Sequence, residues 1–215
     1  MSRLSANNRG SVGQQPYRGP RDPDQRCHLK IEAAEANGAP DTVRTPQEIA
    51  TRALALFAVV GLGFDANRDE VLTWLRDEDL YEELTPMERV LAVSERPTRK
   101  QLINASWQSE ALIVLLWSLQ KVEDLPPPNT QCDTSLFQKL LPPYTDVSAK
   151  DFVRWATRRS DETLTGMADM ILNLHAKARD ASLGIDIEIV QERHRAINWV
   201  IGYDGLPWDE VTTDT

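Results

Sequence analysis

Apolar residues recur along most of the chain at helical spacing, and sustained strand-type alternation is absent. Thr45-Pro46-Gln47-Glu48 joins an N-cap threonine, a proline at the first helical position and a glutamate three residues after the cap. It predicts a helix to about Val60, stopped by Gly61 and Gly63, with Ile49, Ala53, Leu56, Val59 and Val60 inward. A second helix is expected over Asp65–Arg76. Thr85-Pro86-Met87-Glu88 repeats the capping signal and opens a helix to about Ser94. Thr98 then caps the central element, one helix over about 98–122. From Trp107 to Leu119 it is apolar on nearly every face, as a buried helix is.

Shorter pieces follow at Ser135–Leu141 and from Ser148 to Arg158, the latter anchored by Phe152, Val153 and Trp155. Ser160 or Asp161 caps a helix through Ser182, with Leu164, Met167, Met170, Ile171, Leu174 and Ala178 as its stripe. The last helix is Ile187–Ile201, closed by Gly202. Its first residues alternate as a strand would, but the helical pattern continuing through His194 and Ile201 outweighs them. The fold class predicted is all-α: a single domain, 45–215, of roughly eight helices around the central one. Residues 1–44 read as a mobile or weakly helical extension, rich in Gly, Pro, Asn and Gln at its start, with weak helical character over Asp24–Asn37.

Polar residues on apolar faces carry the candidate chemistry. At about 100° per residue, Glu110 falls between Trp117 and Val114 on the central helix. An unpaired carboxylate there is costly, so it demands a cation, a proton or a wet pocket. Arg52, on the inner face of the first helix, and Arg193, at the margin of the last, are the cations placed to meet it. His194 lies inside the stripe of the last helix. His175 lies at the edge of its own stripe, with Asp169 opposite. One reading makes Glu110, Arg52, Arg193 and His194 a structural network. The other makes Glu110 and His194 an acid/base pair in a pocket where an arginine grips an anion. Trp199 falls on the outer side of its helix and needs a cover. The tail carrying Trp208 and Asp209 is the nearest candidate, against a frayed terminus.

Charge narrows the partners. The net charge is −9 over 215 residues. Residues 1–45 hold seven Lys/Arg against five Asp/Glu, while the remaining 170 hold 17 against 28. An acidic body argues against nucleic acid or anionic membrane and points to a basic protein partner. The longest apolar run, about 12 residues, is shorter than a membrane span. The opening stretch has no signal-peptide core, so a cytoplasmic location is expected. Cys27 and Cys132 are too few for a disulfide framework, and no cofactor motif or metal-ligand spacing occurs, although His175, His194 and carboxylates supply ligand types.

RALALFAVVGLG (52–63), SWQSEALIVLLWSL (106–119), ERHRAINWVIGY (192–203) and WDEVTTDT (208–215), in that order, resemble the domain-of-unknown-function family 4272. RDA at 179–181 and the Asp169…His175 spacing add to the likeness. The resemblance covers roughly 45–215 and implies a bacterial-type protein. It implies that Glu110, Arg193, His194, Trp199, Trp208, Asp209 and Asp214 belong to one unit, and it transfers no catalytic residue. Three functions are therefore in play: an interaction protein with an acidic surface, an enzyme or small-molecule binder using Glu110, His194 and an arginine, and a scaffold self-associating through Trp199 and the Trp208 tail.

Overall fold

The computed structural model describes residues 42–213. The expected extension over 1–44, with its weak helix at 24–37 and Cys27, therefore lies outside the described residues except for Thr42, Val43 and Arg44, as does Asp214. The described chain is a single all-α domain without strands. Its helices are α1 (Pro46–Gly63), α2 (Arg68–Asp77), α3 (Pro86–Val93), α4 (Arg99–Trp107), α5 (Ser109–Ser118), α6 (Ser135–Leu140), α7 (Ala149–Arg154), α8 (Asp161–Lys177) and α9 (Ile187–Ile201). None of the described helices is long and apolar enough to cross a membrane.

The threonine signals act as their chemistry dictates. Thr45 and Thr85 each accept the backbone N–H three residues on, while Glu48 and Glu88 reach back to the cap N–H at 2.7 and 2.9 Å. Thr98 does the same with Gln101. The central element differs from expectation. It is two helices, because the chain turns at Gln108, where ψ rises to −6° and the N–H bonds back to the Ala105 carbonyl at 3.3 Å. The turn adjoins a close approach of backbones: a Cβ on Gly63 would lie 2.4 Å from the Ser106 nitrogen. That approach requires a glycine at 63; Gly61 meets only the Ala66 side chain, and both lie inside α1 rather than stopping it. A tight turn that keeps nearly helical φ leaves the apolar pattern intact, so periodicity does not register it.

All ten residues of α5 are buried, whereas α4 buries only Ala105. The pillar is thus the shorter α5, packed between α1 and α9, with α8 beyond α9. It stops at Ser118 because Gln120 takes a left-handed conformation at φ 61°. Arg159 closes that end, donating to the carbonyls of Trp117, Val122 and Glu123 at 2.8–3.0 Å and lying over the Trp117 ring. The guanidinium thereby ties the last turn of α5 to the loop that follows it.

Other boundaries shift by a few residues. α2 starts at Arg68 behind an Asn67 cap, α7 stops at Arg154, and α8 stops at Lys177. Trp155 follows the end of α7 and is 63% exposed, so it is not an anchor; Met170 is also exposed, on the outer side of α8.

Candidate functional site

The two arginines assigned to Glu110 separate. Arg193 alone meets it, with Nε and Nη2 donating to Oε2 at 2.9 and 2.7 Å, while Oε1 accepts the Cys132 N–H at 2.7 Å. The other Arg193 donors go to the carbonyls of Pro126, Pro127 and Thr130. Every donor of this guanidinium is spent, and the 126–132 loop is tied to α5 and α9 through it. Cys132 sits beside Glu110, with its thiol on the Ser109 carbonyl. Burial and the neighbouring carboxylate push that thiol up to about 12, so it stays protonated and is no nucleophile.

Arg52 pairs instead with Glu88, whose other oxygen serves the Thr85 cap. A second Arg52 donor goes to the Glu83 carbonyl at 3.2 Å. Glu88 was read from the sequence only as half of a capping box. Its position, three and four residues before the buried Leu91 and Ala92, is the signal that it also faces inward.

His194 meets neither Glu110 nor an arginine. Its Nδ1 lies 3.0 Å from Nδ1 of His175, across the α8–α9 interface, with the rings edge to face. One imidazole donates and the other accepts, so at least the accepting ring is neutral and the two cannot both be protonated. Burial, then the partner ring, pushes His194 down to about 4, and burial, then Arg179, lowers His175. Asp169 is exposed on α8 and joins neither histidine. Among the described residues no group of three or more His, Cys, Asp or Glu is placed to hold a metal ion.

Trp208 folds back. Its ring stands 5.4 Å from that of Trp199, edge to face, with Arg52 at 4.6 Å and Arg195 at 5.3 Å from its centre. Asn198 holds the tail by donating to the Thr212 carbonyl at 3.1 Å. Each guanidinium over the indole ring is an electrostatically favourable contact, and each has its own carboxylate: Glu88 for Arg52, and Glu192, at 2.8 Å, for Arg195.

Both of those carboxylates also border a groove of about 660 Å³. Its walls are α3 (Pro86, Met87, Val90, Leu91), α4 (Gln101, Asn104, Ala105, Trp107) and α9 (Glu188, Gln191, Glu192, Arg195). Val59, Gln108 and Asp209 complete the lining. Of the candidate site residues read from the sequence only Asp209 is in it. Glu110, Arg193, His194 and His175 do not line the groove. The groove carries four carboxylates (Glu88, Glu188, Glu192 and Asp209) against one guanidinium, Arg195. Burial raises the Glu192 carboxyl against the opposing pull of Arg195. On α3, Met87, Val90 and Val93 are 54–65% exposed along one stripe.

A family model described as "Domain of unknown function (DUF4272)" matches residues 30–211. The chain belongs to that family. No curated protein and no solved structure matches it. The DUF4272 span begins at residue 30 rather than 45 and ends before Asp214. It takes in both buried arginine pairs, the histidine pair, the Trp208 stack and every residue of the groove.

Proposed function

We propose that this DUF4272 chain is an interaction module whose α3–α4–α9 groove receives a basic, amphipathic segment of a protein partner. The observation that carries this reading is the groove's acidic surplus beside an exposed apolar stripe. Among the described residues Glu188 and Asp209 make no ion pair, and Met87, Val90 and Val93 are exposed on the adjoining helix. A segment with cations on one side and apolar residues on the other neutralises the first and covers the second. Met87 suits such a surface because its unbranched side chain adapts to different shapes. The net −11 of residues 46–215 supplies attraction at longer range.

Synthetic amphipathic peptides of equal length, one basic, one neutral and one acidic, test this by fluorescence anisotropy. The basic peptide is expected to bind most tightly, with affinity falling as salt rises. Glu188→Lys with Asp209→Lys is expected to lower it about tenfold or more. Equal binding of all three peptides, or no effect of the charge reversals, refutes the reading. An enzyme built on Glu110 and His194 has less support, since neither borders the groove and the two side chains do not meet.

A further inference from the structure

Of the six tryptophans only Trp155, at the end of α7, is exposed, at 63%. The backbone around it is bonded on both sides. The Trp155 N–H donates to the Asp151 carbonyl at 3.0 Å, Ala156 is buried, and the Arg159 N–H donates to the Ser118 carbonyl at 2.9 Å. The indole is thus presented to solvent from a fixed frame. Beside it Arg154 is exposed and makes no ion pair among the described residues. Lys150 stands one turn earlier on the same face of α7. Its contact with Asp79, at 3.6 Å between side chains 78% and 81% exposed, holds it only weakly. Asp151 is occupied by the Ser148 hydroxyl, which leaves Asp146 as the exposed carboxylate of this stretch. Tyr144 and Val147, in the loop before α7, add exposed apolar surface. Tryptophan and arginine are the residues from which interfaces draw most of their energy.

The groove asks the same combination of its occupant: apolar surface for Met87 and Val90, cations for Glu188 and Asp209. Resting on that reading of the groove, we infer that its occupant is the Trp155 face of a second copy of this chain. Trp155 of one copy covers the Met87–Val90 stripe of the next, and Arg154 and Lys150 meet Glu188 and Asp209. No residue of the Trp155 face lines the groove, so the contact joins two different surfaces and runs head to tail. Each pair then keeps one open groove and one open Trp155 face, and the assembly grows with concentration or closes into a ring. Two acidic bodies repel at long range, but salt at about 0.15 M screens charges more than about 8 Å apart and leaves the touching ones.

Sedimentation equilibrium of the full chain at that salt concentration tests the contact. The average mass is expected to rise with protein concentration across the micromolar range. Arg154→Glu with Trp155→Ala, and separately Glu188→Lys with Asp209→Lys, are each expected to stay at monomer mass. All four side chains reach solvent, so both variants keep the fold, which thermal melts verify. Mixing the two variants is decisive. The first keeps its groove and the second keeps its Trp155 face, so the mixture is expected to form a complex of twice the monomer mass and no larger. A parent chain that stays monomeric up to about 1 mM, association that neither variant disturbs, or a mixture that stays monomeric overturns the head-to-tail contact. If the basic peptide still binds Arg154→Glu with Trp155→Ala while the parent does not self-associate, the acidic groove stands and a second copy is not its occupant. If no basic peptide binds and the parent stays monomeric, both fall.

Discussion

Two arginine–carboxylate pairs are buried in this domain, and their surroundings differ. Glu110–Arg193 is sealed: both carboxylate oxygens are bonded, and every guanidinium donor has gone to the carboxylate or a loop carbonyl. Arg52–Glu88 is at an edge: the carboxylate lines the groove, the guanidinium lies under Trp208, and Arg52 Nε is unpartnered. The same chemistry serves two ends. Saturation fixes a loop against two helices, whereas the unsaturated pair places its carboxylate in the groove wall.

Breaking each pair separates these roles. Glu110→Ala is expected to cost about 3–5 kcal/mol, since it leaves Arg193 buried and charged. The affinity of the folded fraction for a basic peptide should not change. Urea unfolding gives the first quantity and anisotropy the second; a loss under about 1 kcal/mol would contradict a sealed pair.

Acid is expected to act next, through the histidine pair between α8 and α9. Unfolded histidine takes its proton near 6.5, whereas folded His194 does so only at about 4. The unfolded state therefore binds more protons between those values, so stability is flat above 6.5 and falls as pH drops toward 4. The loss is on the order of 2–3 kcal/mol. Denaturant melts across this range, repeated on His175→Phe with His194→Phe, should show the slope and its disappearance.

Glu88→Gln is expected to cost less, about 1–2 kcal/mol. The amide oxygen still serves the Thr85 N–H, and Arg52 keeps the Glu83 carbonyl and the Trp208 ring. Unlike Glu110→Ala it should weaken peptide binding, because it removes a groove charge; an unchanged affinity would erase the distinction between the two pairs. Smallest is Asp169→Ala, exposed and outside both regions, which is expected to stay within about 0.5 kcal/mol of the parent and to bind peptide unchanged.

Local chemistry explains what was legible in the sequence. The threonine caps at 45, 85 and 98 are decided by three or four neighbouring residues, and α9 has the predicted bounds because Gly202 supplies the left-handed end. The burial of Glu110 followed from its place on an apolar wheel, and Arg193 was one of two cations offered to it. The choice between Arg193 and Arg52 was not legible, since it depends on which helix faces each arginine. Glu88 was hidden by its first duty as a cap. The turn at Gln108 leaves no trace in hydrophobic spacing. The groove escaped notice because three helices and a tail each lend it residue types that are ordinary on a surface.

The contact between the ends of the described domain has a mechanical consequence. Arg44 donates through its backbone to Val200 and through its guanidinium to Leu206, and Gly202 admits Thr42 at a distance no side chain would allow. Entry and exit therefore lie side by side, joined by a small clasp. A pull on both ends loads that clasp before it loads α5.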